Sequence, residues 1–171
     1  MYTKKLLYSS ILFCCFNLIF SQNLKLDEII NLSDKSLSNL QEYLQNNDFL
    51  FYKASSDELM NTDTIMFINH QNIIVGHISQ KRRSTIFVEN ITEENFDPIQ
   101  LELQKSNFSL VETNVKSNNI LENKYILKKT NVIIDVHIKS DVNQANHLKN
   151  TYTIIVSKDS KSRFKYRKHH T

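Results

Sequence analysis

Apolar residues recur at Leu26, Ile29, Ile30, Leu37, Leu40 and Leu44, at spacings of three, four and seven. That is the period of a helix with one buried face. The polar stretch LSDKSLS interrupts the run, so the pattern predicts two short helices, the second capped by Ser33 or Asp34. The rhythm then changes to two. FLFYKA (49–54), DTIMFIN (63–69), NIIVGHIS (72–79) and STIFVEN (84–90) are short, rich in β-branched and aromatic residues, and bounded by polar turns, which predicts strands. A second passage repeats the plan. FDPIQLELQKSN predicts a helix with Asp97 as its N-cap, Pro98 at the first helical position and a staple between Phe96 and Leu101. FSLVETNV (108–115), NKYILKK (123–129), NVIIDVHIKS (131–140) and TYTIIVSK (151–158) follow as strands.

The two passages align. LQNNDFLFYKA (44–54) lies over LQKSNFSLVET (103–113) at an offset of 59, and IMFINHQNII (65–74) over KYILKKTNVI (124–133) at the same offset. A slip of one residue then brings His77-Ile78 onto His137-Ile138, and TIFV (85–88) matches TIIV (153–156) after the insertion DVNQANHLK. The expected fold class is α+β. Two tandem α-β-β-β(-β) repeats, 22–90 and 91–157, form an antiparallel sheet of about six to eight strands with helices on one face and the other face partly wet. In element order this resembles the β-lactamase inhibitor protein. The stretch LDEIINLSDKSLSNLQEYLQNNDFLF also resembles uncharacterised short secreted proteins of Gram-negative bacteria. The resemblance implies fold and export and carries no catalytic residue with it.

Composition removes several chemistries. With Gly76 as its single glycine, the chain cannot write a P-loop, a dinucleotide fingerprint or a glycine-flanked nucleophile elbow. Asparagine takes over at turns, as at Asn46-Asn47, Asn61, Gln71-Asn72, Asn118-Asn119 and Thr130-Asn131, because it tolerates positive φ better than most side-chain-bearing residues. The N-terminus reads as a signal peptide over 1–21. Lys4 and Lys5 precede an apolar run of about 15 residues, short of the roughly 20 a spanning helix needs, and Ser21 suits signal peptidase. An uncleaved anchor is the alternative. Cys14 and Cys15 both lie in this segment, so a cleaved chain has no thiol or disulfide chemistry. The expected location is the periplasm or the extracellular space.

The chain carries 21 Lys and Arg against 18 Asp and Glu, but the charge is unevenly spread. Residues 158–171 hold six Lys or Arg against Asp159 alone, and the body is mildly acidic. In this tail, expected to be disordered, Lys161, Arg163, Lys165, Arg167 and Lys168 interleave with Phe164 and Tyr166. That composition suits an anionic lipid or lipopolysaccharide surface; nucleic acid is not an expected partner of an exported chain. His77, His137 and Asp135 are candidate metal or acid–base residues if equivalent strands bring them together. Catalytic zinc needs three protein ligands, however, and no second ligand stands at close metal-site spacing to either histidine. Polar residues on the wet face of a strand account for them more simply. No cofactor is expected. The leading expectation is a non-enzymatic protein that binds an envelope or extracellular protein through its sheet face or loops, with Tyr52, Tyr125 and Tyr152 as candidate anchors. Binding of an anionic surface by the tail, and a small hydrolase using the two histidines, are the alternatives.

Overall fold

The computed structural model describes residues 24–80, 83–105, 107–116, 119–127, 129–142 and 148–158. Residues 1–21, expected to form a signal peptide, and tail residues 159–171 lie outside the described residues. The elements run α1 (Leu26–Leu32), α2 (Leu37–Asn46), β1 (Leu50–Asp57), β2 (Thr62–Ile68), β3 (Ile74–Gln80), β4 (Arg83–Thr92), α3 (Glu93–Lys105), β5 (Phe108–Lys116), β6 (Ile120–Leu127), β7 (Val132–Val142) and β8 (Leu148–Lys158). The fold is α+β, with one eight-stranded antiparallel sheet ordered β1-β2-β3-β4-β8-β7-β6-β5. Every strand anticipated from the two-residue rhythm is present. The chain builds a meander from one edge to the centre, crosses through α3 to the far edge, and builds a second meander back to the centre.

The two meanders share local devices. Each edge strand has an irregular register at the same relative place, between Phe51 and Lys53 in β1 and between Leu110 and Glu112 in β5. Asn61 and Asn119, each just before a second strand, have φ of 55° and 58°. Asn72 and Asn131, each before a third strand, have φ of 63° and 53°. At these four turns asparagine does take the left-handed conformation, but at Asn46-Asn47 the neighbouring Asp48 takes it instead, and Asn90 takes it within β4. Gly76 is not among them, so its role is not conformational.

Strand alternation sorts the side chains between two faces. On one face Phe67, Val75, Val88, Ile154 and Val136 form a row across the sheet, with Ile65, His77, Ile86, Val156, Ile134 and Tyr125 in the next. The helices close this face: Leu26, Ile29, Leu32, Leu40, Leu44, Phe96, Ile99 and Leu103 share one core with the valines and isoleucines of those rows. Burying each such side chain contributes roughly 1.5–3 kcal/mol. The Leu26 amide donates to Glu102 Oε2 at 3.0 Å, tying the start of α1 to α3.

Two helix starts differ from expectation. The cap of α2 is Ser36, whose Oγ accepts from the Asn39 amide, not Ser33 or Asp34. Ser33, Asp34 and Lys35 instead donate their amides to the carbonyls of Ile30, Asn31 and Leu32, which extends the end of α1 as a tight turn. In α3 the helix begins at Glu93 and Pro98 lies inside it, so Asp97 is not the cap. Packing explains the earlier start. With Phe96, Ile99 and Leu103 on one helical stripe, Phe96 stacks on Tyr152 at 4.1 Å, which outweighs the backbone bond lost at Pro98.

Candidate functional site

No described element covers the second face of the sheet. Its central row runs Lys53, Met66, Gly76, Phe87, Ile155, Asp135, Lys124 and Glu112, one residue per strand from β1 to β5. The single glycine is explained here. A Cβ on Gly76 would lie 1.9 Å from Phe87 Cζ, so the phenyl ring lies across the bare backbone of β3. The ring is thereby buried on a face without helices. Beside it a hollow of about 310 Å³ is lined by Ile78, Thr85, Ile133, Ile155 and Ser157, with Gln80, Arg83 and Lys158 around it. Its floor is apolar and hydroxylic, its rim cationic. Lys158 also pairs with Asp34 in the turn after α1.

The other half of this face is charged. Lys124 Nζ lies 3.3 Å from Glu112 Oε2 and 3.9 Å from Asp135 Oδ1. Glu122 is held between Lys116, at 3.0 Å, and His137 Nε2, at 3.2 Å. Asp135 Oδ1 is buried and accepts no hydrogen bond among the described residues. Burial therefore raises the Asp135 pKa, against the pull of Lys124. Hydrogen bonding from Lys116 holds Glu122 below the usual carboxylate range. The bond to Glu112 raises Lys124.

His77 does not belong to this group. Its strand neighbours are Ile65 and Ile86, so it points to the helix-covered face, 8% exposed, with Nε2 2.9 Å from Ser84 Oγ. Burial lowers its pKa. His137 and Asp135 project from the opposite face, and β4 and β8 separate β7 from β3. The two histidines therefore cannot share an ion or an acid–base pair. The reason is the one-residue slip in their alignment: strand side chains alternate, so a shift of one exchanges the faces. By register, the position matching His77 is Val136, and the one matching His137 is Ile78. Among the described residues no group of three His, Cys, Asp or Glu could hold a metal ion.

Of the candidate anchors, Tyr52 is exposed on β1, whereas Tyr125 is half-buried against the core and Tyr152 is buried under Phe96. The tail residues Lys161, Arg163, Phe164, Lys165, Tyr166, Arg167 and Lys168 lie outside the described residues. Sequence reasoning missed Phe87, Glu122 and Lys124. Glu122 and Lys124 sit two apart in LENKYIL, and that alternation placed beside Asp135 and His137 is the signal that could have found them. No helix among the described residues is long and apolar enough to cross a membrane. Comparison with known proteins finds no matching family model, curated protein or solved structure.

Proposed function

We propose that the chain is an exported, non-enzymatic binding protein, built by duplication of a helix-plus-four-strand unit, that holds another protein against its open sheet face. The observation that carries the binding reading is the uncovered apolar centre of that face, where Ile78, Ile133 and Ile155 line the hollow beside the Phe87 ring. Binding faces combine such an apolar centre with a polar rim, here the Lys124 network on one side and Arg83 on another. Matching irregularities in β1 and β5 and matching left-handed asparagines support the duplication.

Capture from a detergent-solubilised envelope extract tests the binding reading. The baits are the full chain, a chain ending at residue 157, and Thr85→Lys, which puts a charge in the hollow. One stoichiometric protein held by the first two baits and lost from the third is the expected result. Capture by the full chain alone, washed off by moderate salt, would favour a second reading. In that reading the basic and aromatic residues between Lys161 and Lys168 bind an anionic lipid or lipopolysaccharide surface.

A further inference from the structure

We propose that the protein pairs with a second copy of itself through β1, in an antiparallel twofold contact that joins two sheets edge to edge. β1 is exposed along its whole length. Leu50, Phe51 and Tyr52 are exposed at its start, and Leu59 and Met60 at the hairpin tip beyond its end, Leu59 at 99%. Between these apolar groups stand Lys53 and Asp57, four residues apart on the open-face side of the strand. Neither takes part in an ion pair among the described residues.

One register uses all of these features. If Ser55 faces its own counterpart across a twofold axis, Lys53 of each copy lies across from Asp57 of the other. The same register lays the tip, with Leu59 and Met60, alongside the second copy's Phe51 and Leu50. Backbone N–H and C=O groups unused at the edge then complete the ladder. The helix layer leaves room, since Phe51 points to the helix side and is 59% exposed. Lysines and bulges also guard strand edges against pairing. Guarding, however, requires neither a reciprocal acid four residues on nor exposed apolar side chains at both ends.

The opposite edge is a natural control. β5 also exposes Leu110, Val111 and Val115, but its corresponding charges are already engaged within one copy, Glu112 by Lys124 and Lys116 by Glu122.

Cysteine cross-linking of the full chain tests the proposal in a background where Cys14 and Cys15 are replaced by serine. Residues facing each other on antiparallel strands lie within disulfide reach. Ser55→Cys is expected to give a reducible dimer on mild oxidation, and Asn114→Cys, at the corresponding place on β5, to remain monomeric. Adding Lys53→Glu or Asp57→Lys to Ser55→Cys should each lower the dimer yield by about tenfold, since like charges then face each other twice. Mixing those two variants should restore it, because each mixed pair again joins opposite charges. A monomeric Ser55→Cys, equal cross-linking of Asn114→Cys, or no recovery on mixing would overturn the proposal.

Discussion

Where β3 carries Gly76 between Met66 and Phe87, β7 carries Asp135 between Lys124 and Ile155. Where β3 carries Ile78 beside Thr64, β7 carries His137 beside Glu122. The frame is the same in both halves of the open face, with strand order, register and the left-handed asparagines before the second and third strands matched, yet the surfaces differ. On the first half a phenyl ring lies on bare backbone and the neighbours are apolar or hydroxylic. On the second, a smaller isoleucine leaves room for the Asp135 carboxylate and a chain of ion pairs crosses the strands. The helix-covered faces of the two halves are both mainly apolar, because both fit the same helix layer, with His77 opposite Ile65 and Asn123 opposite Val136 as polar exceptions in matching strand pairs. Packing constrains one side of a sheet, and the uncovered side is free to acquire chemistry.

The largest effect should come from disturbing the first half at its tightest point. Gly76→Ala drives a methyl group into the Phe87 ring and should cost about 1–3 kcal/mol, read as a fall in Tm. Adding Phe87→Ile, which copies the Ile155 of the other half, should recover most of that loss. Failure of this rescue would break the comparison at its centre.

In the second half the sign reverses. Asp135→Asn removes a poorly solvated carboxylate and should raise stability near pH 7 by about 0.5–1 kcal/mol in denaturant titrations. The pH dependence follows. Asp135 has its folded pKa raised, so the group is protonated and costs nothing below the unfolded value, and stability falls as pH rises from there through the folded value. His77 acts the other way. Its folded pKa is lowered, so stability is lost as pH drops below the ordinary histidine value and through the folded one. His77→Gln should flatten the stability curve on that slightly acidic side, and Asp135→Asn on the carboxylate side. Unchanged curves in both variants would contradict the burial assigned to each group.

The smallest effect belongs to Glu122→Gln. It loosens the contacts of Lys116 and His137 and should cost under about 1 kcal/mol, with the difference shrinking at high salt.

The fold was largely legible in the sequence, because burial enforces period. The alternation in NVIIDVHI and STIFVEN predicted strands, and the spacing of Leu37, Leu40 and Leu44 predicted a helix. Pro98 misled because proline marks helix starts only when tertiary contacts do not demand an earlier one, as Phe96 against Tyr152 does. The candidate site was far less legible. His77 and His137 matched as letters but not as faces, since parity is set by pairing partners and not by neighbours along the chain. The role of Gly76 was hidden for the same reason: Phe87 lies eleven residues away in sequence and directly opposite in space.

The most direct test of the open face as the binding surface is site-specific photocross-linking in the source cells. A photoreactive residue replaces Thr85 in the hollow or, as a comparison, Gln41 on the exposed side of α2. A discrete protein adduct from position 85 and none from position 41 is the predicted result. An adduct from position 41 alone would place the partner on the helix layer and contradict the account.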